Sequence, residues 1–177
     1  VPNFLEAQVR SKVSRVKSDQ RTLATALEAY RTDYNKYPPN MVTGEVFINE
    51  LSTPVAYVSS TNIRDPFMEN TMAVNKAYNP PVYYKMPGFF YCNYKDWANV
   101  NTPLAYFDAW GLGSLGPDKT DGGLMWGPVV LNMGTQKIDG TNCLQAVYDP
   151  TNGTASYGDI GRFGGALPAV AAALNAR

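Results

Sequence analysis

Residues 9–34 read VRSKVSRVKSDQRTLATALEAYRTDY, and large side chains recur along them at alternating steps of four and three. This spacing puts the large side chains on one side of an α-helix, with polar residues on the other sides. Polar Gln20 occupies one position of the series. The large side chains are those of Val9, Val13, Val16, Leu23, Leu27, Tyr30 and Tyr34. We therefore predict a long amphipathic helix over residues 1–36, stopped by Pro38 and Pro39 because a proline cannot continue a helix.

The residues before this series have a different pattern. Pro2 suits the first turn of a helix, where its missing N–H costs nothing. Phe4 and Leu5 are large and apolar, and they precede the amphipathic series. Either these two side chains pack locally, or the natural protein continues upstream of residue 1.

The composition indicates one domain and excludes several functions. A chain of 177 residues is long enough for a single core. Its 15 basic and 15 acidic residues balance, which leaves no positive surplus for binding nucleic acid. We interpret the local basic excess within residues 10–21 as a solvated helix face, with phospholipid or nucleic-acid contact as the alternative. No histidine is present, which removes histidine-based acid–base and nucleophile systems, and we expect no enzymatic activity.

The opening residues carry a family resemblance. VPNFLEAQ at residues 1–8, RSKVSRVK at 10–17 and RTLATALEAY at 21–30 resemble the first helix of bacterial type IV pilin-like proteins, most closely the major type II secretion pseudopilins. The resemblance implies a leader and a very hydrophobic helical half upstream of Pro2, so that the membrane-spanning part is removed from this chain. It also implies that neighbouring subunits cover the start of the helix. The residues of this expected assembly interface are Val1, Pro2, Phe4, Leu5 and Glu6.

Two further segments carry the same resemblance. Residues 50–57, ELSTPVAY, with the turn at residues 65–67, are similar to the loop that connects helix and sheet in pseudopilins. Residues 114–118, SLGPD, are similar to the motif that leads into the calcium-binding loop of the major pseudopilins. Calcium needs six to eight oxygen ligands. The resemblance implies that Asp118 and Asp121 supply carboxylates for a calcium ion, the only cofactor expected.

The calcium prediction has an alternative. The family's loop is richer in acidic residues, whereas Lys119 follows Asp118 here. Aspartate and glycine together are also typical of a polar turn without any metal. Both interpretations of this loop stay open at the level of sequence.

The two cysteines, Cys92 and Cys143, are predicted to form a disulfide. An even cysteine count and the cell-envelope setting implied by the resemblance favour the bond. It would close a loop of about fifty residues and stabilise the fold by roughly 3–4 kcal/mol. Two buried thiols that never meet are the alternative.

Half of the aromatic residues lie between Tyr78 and Trp110. Within this region we predict two strands, residues 82–86 and 89–94, around a turn at Pro87-Gly88. Because side chains alternate across a strand, some of the aromatic rings are expected outside the core. The interpretations are a sheet covered on both faces, or a contact surface for a subunit, glycan or secreted cargo formed by Tyr91, Tyr94 and Trp97.

Further along, we predict short helices at residues 45–51 and 167–175 and a hairpin over residues 148–163 with a tight Asn152-Gly153 turn. The whole chain is then a single α+β domain: a helix at 1–36, a connecting loop at 37–80, a small antiparallel sheet with long loops at 81–165 and a tail at 166–177. This arrangement resembles the pilin fold.

The resemblance implies a structural subunit of a pilus-like filament, either a type II secretion pseudopilus or a type IV pilus. Such a subunit is anchored in the inner membrane of the bacterial cell envelope before assembly and is periplasmic or extracellular in the filament. Its expected partners are copies of itself, other pilin-like subunits, the secretion or pilus assembly machinery and the inner membrane. The alternative is a minor or tip subunit that binds a glycan or secreted cargo through the aromatic surface.

Overall fold

A long N-terminal helix lies against a three-stranded antiparallel sheet, in the α+β arrangement that the sequence predicts. The computed structural model describes residues 2–39, 48–60, 62–68, 73–75, 82–84, 88–96, 107–121, 137–138, 141–142, 147–151 and 158–167. Helix α1 spans Pro2–Tyr34, and a short 3-10 helix spans Asn49–Leu51. The strands are β1 Ala73–Asn75, β2 Val82–Tyr84, β3 Phe90–Asn93, β4 Ala109–Ser114, β5 Thr120–Asp121, β6 Lys137–Ile138, β7 Thr141–Asn142 and β8 Ile160–Gly165.

Helix α1 buries the predicted stripe between Val13 and Tyr30 and packs mainly on β8. Tyr34 was predicted in the same stripe but is 39% exposed, because it lies past the covered part of the helix and stacks on Tyr30 with ring centroids 4.4 Å apart.

The helix also ends before the prolines. Asn35 adopts a left-handed conformation, with φ 55°, and its N–H donates to the Arg31 carbonyl at 2.8 Å. This αL residue caps the helix, which ends two residues before the predicted end at residue 36.

Gln20, the polar member of the stripe, is as buried as its apolar neighbours. It is 1% exposed, and its Nε2 donates to the carbonyl of Ile160 in β8 at 2.7 Å. A buried amide without a partner is costly, and this hydrogen bond satisfies the donor. Gln20 therefore ties the middle of α1 to the last strand.

Replacing Gln20 by methionine, which has a similar shape and no donor, is expected to lower the free energy of unfolding by about 1–2 kcal/mol. The loss comes from the hydrogen bond to Ile160 rather than from packing. Chemical denaturation followed by circular dichroism measures it, with Arg21→Met as an exposed control on the same helix. Equal stability of the two variants would show that the hydrogen bond contributes nothing.

Strand β4 is the centre of the main sheet, and all six of its residues are buried. It pairs antiparallel with β3 on one side and β8 on the other. Trp110 of β4 pairs with Gly164 of β8, and a Cβ at Gly164 would lie 2.3 Å from Cζ2 of the indole. Only glycine therefore leaves room for this ring. The indole Nε1 also donates to Glu28 Oε1 at 2.8 Å, which links the sheet to α1.

The smaller sheets correct two pairing predictions. β2 and β3 form where two aromatic strands were predicted, but β2 pairs with β1 whereas β3 pairs with β4 in another sheet. The sheet of β1, β2 and β5 is also mixed, since β1 and β5 run parallel. β6 and β7 form a separate antiparallel pair. Strand propensity is local, whereas the choice of partner depends on distant residues.

The described residues also contradict the hairpin predicted over residues 148–163. Val147 and Asp159 meet through a parallel bridge, whereas a hairpin needs antiparallel pairing, and the end of the segment joins β4 as β8. The Asn152-Gly153 turn lies outside the described residues, as do residues 168–175 of the predicted last helix. Of the helix predicted at 45–51, the structure describes the 3-10 turn Asn49–Leu51.

Candidate assembly interface

The first part of α1 extends past the core. Between Phe4 and Lys12 no residue is buried, and the next position, Val13, is buried. At 1.5 Å per residue this part is roughly 15 Å long. Its two large apolar side chains, Phe4 and Leu5, are 65% and 54% exposed. We call Phe4 and Leu5 the N-terminal apolar pair.

The outer face of α1 is lined by small side chains. Each of them stands two positions from a residue of the series that includes Gln20, about 200° around the helix and so away from the sheet. The residues of this small-residue face, all exposed, are Ala7, Ser11, Ser14, Ser18, Thr22, Thr25 and Ala29. Small side chains let a second helix approach closely.

Two hydroxyl groups of this face already have hydrogen-bond partners within the helix. Thr22 Oγ1 donates to the Ser18 carbonyl at 3.3 Å, and Thr25 Oγ1 donates to the Arg21 carbonyl at 3.0 Å. Covering these two residues therefore costs little desolvation of unpaired donors. The face is consequently less polar than its sequence suggests.

Charged residues flank the small-residue face without interrupting it. Arg10 pairs with Glu6 one turn earlier, and Arg15 lies 3.6 Å from Asp19. Exposed pairs of this kind contribute little stability, about 0.3–0.5 kcal/mol each. They border the face and would set which partner helix fits beside it.

The predicted assembly residues differ in how exposed they are. Phe4 and Leu5 are exposed together, as an interface requires. Glu6 is half-buried and is held by Arg10. Pro2 begins α1. Val1 lies outside the described residues.

The predicted aromatic surface is not assembled as expected. Tyr94 is 1% exposed, so its ring belongs to the interior and is not available to a partner. Tyr91 is half-buried and donates its hydroxyl to the Pro38 carbonyl at 2.9 Å, which ties β3 to the segment after α1. Trp97 lies outside the described residues. The aromatic pattern predicted strands correctly, but it could not show which face was covered.

A different aromatic group is exposed, and the sequence did not single it out. We call Tyr34, Val55 and Tyr57 the tyrosine surface. Tyr34 and Val55 are 39% and 46% exposed, and Tyr57 is half-buried. The Tyr57 hydroxyl donates to Asp33 Oδ2 at 2.5 Å, and this hydrogen bond raises the pKa of Tyr57 to about 12. Residues of the loop and of the helix meet here only through folding, so no local pattern signalled the group.

Cys92 is buried in β3, and burial raises the pKa of its thiol well above the ordinary value. A thiol in such a place reacts slowly, because the thiolate is the reactive form. Cys143 lies outside the described residues. The Cys92–Cys143 disulfide therefore stays a prediction.

The loop after β4 shows what Asp118 does. Its Oδ1 accepts the N–H of Thr120 at 3.2 Å, and its Oδ2 accepts the N–H of Gly158 at 3.4 Å. The carboxylate thus closes the turn and joins it to the segment before β8. Among the described residues, no group of three or more carboxylates, cysteines and histidines could hold a metal ion. Asp121 lies in β5, and calcium binding with Asp118 stays a prediction.

Within the described ranges, no helix combines the length and the apolar composition needed to cross a membrane. Comparisons of the chain with protein-family models, with curated proteins and with solved structures found no match.

Proposed function

We propose that this chain is a structural subunit of a pilus-like filament, a type II secretion pseudopilus or a type IV pilus, and that α1 is its assembly element. The observation that carries the proposal is the shape and surface of α1. Its first part extends past the core with the N-terminal apolar pair exposed, and its outer face is lined by small residues. The resemblance of residues 1–30 to pilin-like first helices supports the same function.

The energetics favour covering this part of α1 in an assembly. Full burial of a Phe or Leu side chain is worth about 1.5–3 kcal/mol, and the fold itself leaves Phe4 and Leu5 mostly uncovered. Neighbouring helices that pack on the small-residue face would bring apolar groups close to this pair. Repetition of one such contact along an axis produces a filament.

The proposed setting follows from the same function. The subunit belongs to a bacterial cell envelope, is held in the inner membrane through a segment upstream of Pro2, and meets other pilin-like subunits and an assembly machinery. The alternative role, a tip subunit that binds glycan or cargo through Tyr91, Tyr94 and Trp97, has less support because Tyr94 is buried.

The test is a bulky substitution on the outer face of the helix. In the full-length protein, made in cells that carry its assembly genes, Ser18→Trp is expected to reduce the filaments recovered by shearing about tenfold or more. A cost of 1.4 kcal/mol per subunit contact already gives tenfold, and an indole on a close-packed helix face costs at least that. Electron microscopy and immunoblotting of the sheared fraction measure the yield.

The control is Lys95→Trp, at an exposed position outside α1 and therefore outside the small-residue face. Surface substitutions of this kind usually change stability by less than about 0.5 kcal/mol, so both variants are expected to fold. Circular dichroism checks this. Equal filament yields from the two variants would remove the small-residue face from the interface. Absence of filaments from the unmodified protein would overturn the proposed function.

A further inference from the structure

The exposed large hydrophobic side chains of the described residues form two groups at opposite ends of α1. The N-terminal apolar pair is one group. At the other end is Tyr34; Tyr57 donates to Asp33 beside it, and Val55 lies two residues before Tyr57 in the chain. Leu5 and Tyr34 are 29 positions apart, which corresponds to about 44 Å along the helix. Exposed apolar side chains that stand together mark interaction sites more often than single ones do. Because the two groups differ, contact between them joins two copies head to tail. The dimer still has one unused group of each kind, so further copies can bind at both of its ends.

The tyrosine surface is held in a fixed arrangement before any partner arrives. The Tyr30 ring stacks on Tyr34 at 4.4 Å and meets Tyr57 edge-on at 5.7 Å. The hydrogen bond from Tyr57 to Asp33 fixes the third ring. A partner that packs here therefore orders few side chains on binding, which reduces the entropic cost of association.

The two ends of the helix also differ in charge. Two carboxylates act on the rings at the tyrosine surface: Asp33 raises the pKa of Tyr57, and Glu50 adds to the effects of burial and of Tyr34 in raising that of Tyr30. The part of α1 that follows the N-terminal apolar pair is basic. Its exposed cationic residues are Arg10, Lys12, Arg15 and Arg21. Opposite charges on two surfaces favour their contact and set its register.

We propose that the N-terminal apolar pair of one copy packs on the tyrosine surface of a second copy of this chain. The inference rests on the proposed function and specifies one of the subunit contacts within it. The helices of the two copies run parallel and are offset by about 44 Å, the distance between the two groups. The basic part of α1 in one copy then lies near the carboxylates beside the tyrosines of the other.

Cysteine cross-linking in the assembled full-length protein tests the contact. A variant with both Leu5→Cys and Val55→Cys is expected to give a covalent ladder of many subunits under oxidation, because each copy carries both halves of the contact. A disulfide requires Cα atoms roughly 4.4–6.8 Å apart. A short bis-maleimide reagent is therefore used in parallel, so that a slightly longer spacing is still detected. Each single variant is expected to stay monomeric on a denaturing gel, and a mixture of the two is expected to stop at dimers.

The control pairs Leu5→Cys with Asn62→Cys, an exposed position outside the tyrosine surface. Filaments that form normally but give no ladder with Leu5→Cys and Val55→Cys would overturn the head-to-tail contact and leave the proposed function standing. Dimers from either single variant would also overturn it, since they require like surfaces to meet. If the unmodified protein forms no filaments, both proposals fail together.

Discussion

Replacing Trp110 by alanine is expected to lower the free energy of unfolding by about 4 kcal/mol. The indole is buried, lies against Gly164 of β8, and donates to Glu28 of α1. Truncation removes the largest side chain of the central strand and leaves a cavity between the sheet and α1. Glu28 then loses the indole N–H as a donor and keeps the hydroxyl of Tyr37.

Trp110→Phe separates packing from hydrogen bonding. It keeps most of the ring and loses the donor, so a smaller decrease of about 1–2 kcal/mol is expected. Urea denaturation followed by circular dichroism measures both variants without relying on tryptophan fluorescence. If Trp110→Ala costs less than about 1 kcal/mol, the ring does not connect α1 to the sheet as described.

Asp65→Ala is expected to be the second most damaging change, with a loss of about 3 kcal/mol. Asp65 is buried; its Oδ1 accepts the N–H of Phe67 at 2.9 Å and its Oδ2 accepts the N–H of Leu115 at 3.3 Å. The side chain thus fastens the turn at residues 65–67 to the end of β4. Alanine leaves both N–H groups buried without an acceptor. Thermal and chemical unfolding measure the loss, with exposed Asp96→Ala as the control.

The same residue predicts a pH dependence. Burial raises the pKa of Asp65, and the hydrogen bonds from Phe67, Ser114 and Leu115 together with the charge of Lys12 only partly oppose it. The folded state therefore holds this proton more tightly than the unfolded state, whose pKa stays near 3.8. The stability from this carboxyl is fully present below that pH and is lost as the pH rises through the folded-state pKa.

Asp65→Asn isolates the effect because asparagine does not titrate. The free energy of unfolding of the unmodified chain minus that of Asp65→Asn is expected to fall between about pH 4 and about pH 7. Urea denaturation of both proteins at the two pH values measures this difference. A difference that rises with pH would mean that the folded state favours the ionised carboxylate.

Much of α1 was predictable because its pattern is local. The stripe from Val13 to Tyr30 is buried as its spacing indicated, and the exposed apolar pair at Phe4 and Leu5 stood out before the fold was known. The small-residue face was also readable, as Ser, Thr and Ala recurring every three or four positions, although the sequence interpretation passed over it. The end of the helix was predicted to within two residues, and the αL conformation of Asn35 ends it shortly before the two prolines.

The strands show what a local sequence pattern could not predict. Aromatic and β-branched residues marked where β2 and β3 form, but not that they belong to different sheets. Alternation along a strand predicts that its two faces differ, and it cannot say which face another element will cover. That is why the sequence left open whether Tyr94 lies at a contact surface, and the structure buries it, whereas Tyr34, expected in the core, is exposed.

The sequence by itself determined the α+β class, the length and buried side of α1, and the exposed start of that helix, because each depends on the spacing of neighbouring residues. Only the tertiary structure decided the polar contacts and the exposed surfaces. Gln20 is satisfied by Ile160, 140 positions away, and Asp65 by Leu115, 50 positions away. The tyrosine surface joins α1 to a loop beyond it. A buried polar group or an exposed ring is defined by what folding places beside it, and those neighbours are distant in the chain.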